Sequence, residues 1–400
     1  MMKKVRLGII GMGQQGGFYL GTLTGIQINP GKPIEKADLE QIEVTAVSDI
    51  DPAKREKIKS LLPNIHVYDN YIDMLDSGNV DAIVTTVSHY LHSEMGIEAL
   101  KRNIHVLLEK PAGVYTKQVQ ELIDVAKGKP ELTFAVFFNQ RMNPLYRKLK
   151  EIIDNGEIGE IRRTNWIITT WYRPQAYYDM SAWRATWEGE GGGVLVNQAP
   201  HQIDLMQWLC GMPKKVYAKC QYGYQRDIAV EDDVTALFDY GNGATGVLVT
   251  CTHDIVGSDR LEILGDKGKI VVNNSRTVTI TRLKKSESEI NAQITDLTEV
   301  YKLMRGSSNI QNELIDVETI EFDNVWGQQH IDILKNFAAN ILDKTPLVAP
   351  GSDGIRGVRL ANAIHLSSWL NKEIDIDFDE NFFYEKLQEK IREEKNEQII

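Results

Sequence analysis

The chain has only 3 cysteines in 400 residues, Cys210, Cys220 and Cys251, and none stands in a C-x-x-C pair. A disulfide framework is excluded, and a reducing, cytoplasmic setting is the simplest expectation. Positive charge is also scarce: 45 Lys and Arg stand against 56 Asp and Glu, a formal net charge of −11. Binding nucleic acid needs clustered Lys and Arg on the phosphates, so nucleic acid is not expected as a main partner. A local basic pocket for a cofactor remains compatible with this balance. No apolar run is long enough to span a bilayer, and no membrane partner is expected. Lys3, Lys4 and Arg6 precede an apolar run, but Gln14 and Gln15 interrupt it. No small-residue cleavage pattern follows, which argues against a secretory signal. Internal repeats, low-complexity tracts and an H-E-x-x-H metal signature are also missing.

What is present is globular. Hydrophobic residues make up 42% and charged residues 25% of the chain. That composition buries a sizeable core, and the length suits two or three domains. Apolar runs at 5–10, 42–47, 82–87, 104–108 and 132–138 read as buried strands. Helical patterns at 93–102 and 116–127 lie between them. This alternation predicts βαβ units, a parallel sheet and right-handed crossovers. Beyond a linking helix at 145–155, the strands change character. Segments 161–171, 215–224, 234–240, 245–252 and 260–264 are partly alternating and separated by Gly-containing turns, which predicts an antiparallel sheet with one exposed face. Segment 286–316 is polar and reads as an insertion or long loop. Helices are expected at 328–342 and 353–370, and a charged peripheral helix at 380–398. The resulting division is 1–142 for nucleotide binding, with a return helix at 352–371, 143–350 for substrate and oligomer contacts, and a tail at 372–400.

Gly11-Met12-Gly13-Gln14-Gln15-Gly16 follows the first strand directly and opens a helix. Gly11 allows a tight turn, Gly13 lets the backbone approach a pyrophosphate, and Gly16 permits close helix–strand packing. A lone G-x-G-x-x-G is weak evidence, but this context strengthens it. The second strand ends Val47-Ser48-Asp49, with Ile50 next. An acidic group there accepts from ribose hydroxyls and repels a 2′-phosphate, so NAD is expected over NADP. Asp49 lies further from Gly16 than is usual, and a loop insertion at 25–40, with Pro30 and Pro33, absorbs the difference. Val87-Ser88-His89 and His92 follow the fourth strand and are expected along the nicotinamide ribose. His89 and His92 are spaced for one helical turn, yet no third ligand of familiar spacing follows, so no metal is expected. Asn139 and Arg141 follow the sixth strand, and His330 opens a later helix.

Glu109-Lys110-Pro111 ends the fifth strand, which aims Lys110 into the crevice where such sheets bind ligands. Gly191-Gly192-Gly193 leads to Asn197 and to His201-Gln202-Ile203-Asp204. With a helix starting near Ala199, Asn197 stands on its entry loop and Asp204 lies one turn beyond His201, where it could orient the ring. Tyr172, Trp183 and Arg184 precede this segment and, with Arg141, Asn197, His201 and Asp204, are the candidate substrate contacts. Aromatic faces stack on sugar rings, and Arg and Asn bind hydroxyls.

The phosphate loop, the Glu-Lys-Pro motif and the glycine-led His segment, in this order over almost the whole chain, resemble the Gfo/Idh/MocA oxidoreductases. The resemblance implies an N-terminal Rossmann domain and a C-terminal α+β domain with a large, mostly antiparallel sheet whose open face supports a homodimer or homotetramer. It implies hydride transfer between NAD(P) and a sugar, inositol or related polyol. Lys110 would lie near the nicotinamide and the reacting hydroxyl, and His201 would act as acid/base or polarise the substrate. Either could be the base. Many relatives carry Asp where this chain has Asn197, which can hydrogen-bond but cannot titrate. Two rival readings follow: a redox-assisted glycosidase that reduces NAD transiently, and a non-enzymatic dinucleotide sensor.

Overall fold

The computed structural model describes residues 4–31, 35–305, 314–323 and 327–397. Its first sheet contains β1 (Val5–Ile10), β2 (Ile42–Ser48), β3 (His66–Tyr68), β4 (Ala82–Thr85), β5 (His105–Leu108) and β6 (Phe134–Val136). They lie in the order β3-β2-β1-β4-β5-β6, and every pair is parallel. The strands are short and apolar because helices cover both faces; β4 is buried at every position. Connectivity reverses between β1 and β4, which opens a crevice at their carboxyl ends. The edge strand β3 has only three residues and little burial, so it carries no pattern that a sequence could show.

The second sheet has nine strands. They are β7 (Ile161–Ile168), β8 (Lys215–Tyr222), β9 (Glu231–Asp239), β10 (Thr245–Cys251), β11 (Asp259–Gly265), β12 (Gly268–Asn273), β13 (Thr277–Leu283), β14 (Ile315–Glu321) and β15 (Ile374–Asp375). All pairs are antiparallel except β7 with β10. Along β9, Val234, Ala236 and Phe238 are buried while Thr235, Leu237 and Asp239 are exposed. One face therefore packs on the second core and the other is open.

Four segments pack differently from expectation. The stretch expected as an insertion holds helices Glu287–Gln293 and Leu297–Met304 and then β14, which pairs with β13. A capping box between Ser286 and Glu289 starts the first helix. Residues 306–313 of that stretch, and Pro33 of the expected loop insertion, lie outside the described residues. Helix Gln328–Asp343 packs Ile333, Leu334, Phe337 and Ala338 into the first core, not the second. Helix Gly354–Leu370 bridges both: Val358 joins the first core, and Leu360, Ile364 and Leu366 join the second. The tail is no peripheral appendage. Phe383 and Leu387 are fully buried, and the Glu394 carboxylate accepts from the N–H groups of Trp187 (3.1 Å) and Glu188 (3.2 Å).

One buried ion cluster joins these parts. Arg141, 1% exposed, leaves the first sheet on a short 3-10 turn. Its guanidinium grips Asp204 on helix Pro200–Cys210 at 2.9 and 2.7 Å. It also bonds Asp353, ahead of the bridging helix, at 2.7 Å. Arg141 and Asp204 were both expected at the substrate. The geometry places them behind the cleft wall, because every charge they carry is already answered within the protein. Removing one partner of such a buried pair costs about 3–5 kcal/mol. Arg141→Ala should lower the urea midpoint correspondingly. Unchanged stability with a raised KM would return Arg141 to the pocket.

Candidate active site

The cleft between the two sheets encloses about 1610 Å³. Its nucleotide end is built on the loop after β1. Gly11 has φ 90°, and a Cβ there would strike the Thr86 carbonyl at 2.6 Å. A Cβ at Gly16 would lie 2.0 Å from the Gly11 carbonyl, so only hydrogen lets helix Gln14–Thr24 close on the strand. A Cβ at Gly13 would meet no described atom within 4 Å, because that position faces the open cleft. Gly13 also caps this helix without a side-chain hydrogen bond, and its first turn has no acidic residue. The free N–H groups and the open approach fit a pyrophosphate.

The Asp49 carboxylate lies at the floor of this end. It accepts from the backbone N–H of Met12 (2.6 Å) and Asp51 (2.8 Å), and Lys54 approaches at 3.3 Å. Gln14, Ile50, Val87 and Ser88 also line the cleft, while Met12 and Gly16 shape the loop from behind it. Both ring nitrogens of His92 face backbone carbonyls, Pro111 at 2.7 Å and Val87 at 3.0 Å. His89 Nδ1 faces the Glu190 carbonyl at 3.1 Å, and its ring meets Trp183 edge-on.

At the other end, elements from both domains converge. Glu109 at the end of β5 is buried; it accepts the Tyr19 hydroxyl and the Lys110 backbone N–H. That pairing fixes the chain where Lys110 turns into the cleft. Lys110 Nζ then crosses to the second domain and donates to the Asn197 carbonyl at 2.9 Å. Burial pulls the Lys110 ammonium below its ordinary value, and Glu109 and Glu190 hold it up. His201, in the first turn of helix Pro200–Cys210, lines the same wall. Burial, with Lys110 and His330 nearby, holds His201 well below the usual imidazole value, so the ring is neutral at working pH. Asp204 does not orient it: that carboxylate faces Arg141 and Gln207, and His201 Nδ1 has no hydrogen-bond partner among the described residues.

His330 also lines the cleft; burial and Lys110 push it down to about 4, and its ring contacts the Asn139 amide at 3.0 Å. Trp183 and Arg184 complete the wall, with the guanidinium 4.9 Å above the indole. Tyr172 does not: it is 39% exposed and lies under Arg226. Trp171 and Arg173 occupy the wall instead. Asn139 Oδ1, His201 Nδ1, Trp171 Nε1 and Arg173 Nε are buried without partners among the described residues, and all four residues line the cleft. Unpaired buried polar atoms lining one cleft from both domains fit a ligand rich in hydroxyls.

Glu190 was not foreseen. Its buried carboxylate accepts from the Ala185 N–H at 2.7 Å and from the Asn197 amide, with Arg184 at 4.0 Å. Burial raises its carboxyl, opposed by these donors and by Lys110. The carboxylate missing at Asn197 is thus present one contact away, seven residues upstream. Glu-Gly-Glu before the glycine run was its only sequence signal.

This arrangement defines a class: a dinucleotide-dependent oxidoreductase whose pocket lies between a parallel nucleotide-binding sheet and a second-domain helix. The sequence models give the family. Residues 5–138 match the oxidoreductase family with NAD-binding Rossmann fold, and residues 146–271 match the GFO/IDH/MocA C-terminal domain. The chain belongs to the Gfo/Idh/MocA oxidoreductases. Among curated relatives it is 27% identical to the myo-inositol 2-dehydrogenase of Thermotoga maritima over 69% of this chain and 77% of that one. It is 25% identical to the inositol 2-dehydrogenase/D-chiro-inositol 3-dehydrogenase of Lactiplantibacillus plantarum over 66% of this chain and 70% of that one. Its fold matches the WlbA dehydrogenase of Bordetella pertussis, solved with NADH and UDP-GlcNAcA, at TM-score 0.73 and 22% identity over 94% of this chain and 100% of that one.

Proposed function

We propose that this protein oxidises or reduces a CH–OH group of a sugar, inositol or related polyol, with NAD as its cofactor. The observation that carries this reading is the meeting of Lys110, His201 and Asn197 on a wall of unpaired polar atoms. NAD, when bound, supplies the hydride acceptor or donor. Gly13 and the N-terminus of helix Gln14–Thr24 would hold its phosphates. The Asp49 carboxylate would take the adenosine ribose hydroxyls and repel a 2′-phosphate, which favours NAD over NADP.

In oxidation, the neutral His201 imidazole accepts the hydroxyl proton and the Lys110 ammonium steadies the developing alkoxide. His201 has the base role because burial keeps it unprotonated, whereas two carboxylates near Lys110 favour its charged form. Trp183 offers an apolar face for the ring, and Arg184 and Asn139 offer hydroxyl contacts. Removing the ammonium should cost about 10²–10³-fold in kcat. Lys110→Ala should therefore lose turnover while keeping its affinity for NAD. Retained turnover would sink this assignment.

Glu190 is the positioning residue behind Lys110. Its charge stabilises the ammonium, so the lysine stays charged to higher pH than burial alone would permit. Activity that needs the ammonium falls as pH rises through the lysine's pKa. Glu190→Gln lowers that pKa, so the alkaline fall of kcat should move to lower pH. A uniform loss of kcat with an unmoved profile would make Glu190 merely structural.

The open sheet face supports a homo-oligomer, either dimer or tetramer. Tyr217, Leu237 and Val247 are aligned across adjacent strands there, and Tyr217 and Leu237 are 42% and 50% exposed. A second copy of this surface is the covering that matches it. Light scattering should show an assembly that Leu237→Lys splits into smaller units; a monomeric wild type would contradict this.

A further inference from the structure

We propose that Asp233, Cys251 and His253 form a binding site for a borderline-soft divalent ion of the zinc class, on the open face of the large sheet and outside the cleft. Three different donors meet there: a carboxylate oxygen, a thiol sulfur and an imidazole nitrogen, all within 4.8 Å of one another. The fold brings them together by register. Asp233 and Cys251 are direct cross-strand partners at the ends of β9 and β10. His253 follows Cys251 by two residues and turns back, so that its Nε2 lies 2.9 Å from Asp233 Oδ2.

Cys251 is buried, whereas Asp233 and His253 are partly exposed, so the cluster opens to solvent on its carboxylate and imidazole side. A zinc-class ion bound there would hold the sulfur as thiolate. The imidazole is held edge-on by Tyr224 at 5.7 Å, so its direction is set by packing as well as by Asp233. Neighbouring Asp254 is committed elsewhere, to the N–H groups of Val256 and Gly257 and to the Thr169 hydroxyl. The site thus offers three protein ligands, with a fourth position open to water or to another copy.

Sulfur and imidazole donors select zinc-like ions over magnesium or calcium. Bonds of about 2.0–2.3 Å place tetrahedral donors roughly 3.5 Å apart. Asp233 and His253 are both partly exposed, which leaves their side chains room to rotate toward that spacing. None of the three lines the cleft, so the proposal stands independently of the catalytic reading.

The test is titration of the reduced, metal-stripped full chain with Co²⁺, a spectroscopic stand-in for Zn²⁺. The expected result is one equivalent bound, with a near-ultraviolet thiolate-to-cobalt band that Zn²⁺ abolishes. Cys251→Ser should remove that band, and Cys210→Ser and Cys220→Ser should leave it. His253→Ala should weaken Co²⁺ binding about tenfold or more, which keeps the site testable if Cys251→Ser fails to fold. No thiolate band in the wild type, or one that survives Cys251→Ser or follows another cysteine, overturns the proposal.

Discussion

The hydrogen bond from Lys110 Nζ to the Asn197 carbonyl is the contact around which the site is assembled. It joins the end of a parallel strand to the loop that precedes a helix in the other domain. Each partner needs its own scaffold. Lys110 is aimed by β5 and by the backbone grip of Glu109, and Asn197 is held by Glu190 and by its N–H bond to Gly193. Desolvation in the cleft wall favours the uncharged amine of Lys110, and the nearby charges of Glu109 and Glu190 oppose that loss. The two flanking glutamates are therefore as necessary to the cleft as the lysine. The Arg141 cluster behind the wall fixes the distance between the domains that this contact must span.

Electrostatics divides the molecule. The chain as a whole carries a formal charge of −11. The lining of its cleft is balanced instead: Lys54, Arg55, Lys110, Arg173 and Arg184 stand with Asp49, Asp69, Asp73, Glu94 and Glu109. Positive potential for a dinucleotide phosphate comes from the N-terminus of helix Gln14–Thr24, whose first turn has no acidic residue. His201 and His330 stay neutral beside Lys110 because burial and a neighbouring cation both oppose their protonation. The cleft can thus hold a proton acceptor and a charged donor side by side at one pH.

Much of this was legible in the chain. The phosphate loop, Asp49 and Lys110 stand at strand ends, and strand ends are visible as breaks in apolar runs. The alternation of the second sheet likewise announced its open face. What stayed hidden depends on contacts between residues far apart in sequence. Arg141 and Asp204 are 63 residues apart, and nothing in either neighbourhood shows that they answer each other. The tail looked peripheral because its charges outnumber its apolar residues, although Phe383 and Leu387 suffice to dock it. Glu190 was hidden because a glutamate before a glycine run usually reads as a solvated turn. Tyr172 and Trp171 are adjacent, and only the exit geometry of β7 decides which one enters the cleft.

The central claim is that this cleft transfers a hydride between NAD and a hydroxylated carbon of a polyol. The most direct measurement is absorbance at the NADH band when the wild-type protein receives NAD⁺ and a panel of free sugars, inositols and glycosides. The account predicts a steady rise with at least one free sugar or inositol. No rise with any of them, while glycosides are cleaved without net NADH, would contradict it and favour a redox-assisted glycosidase.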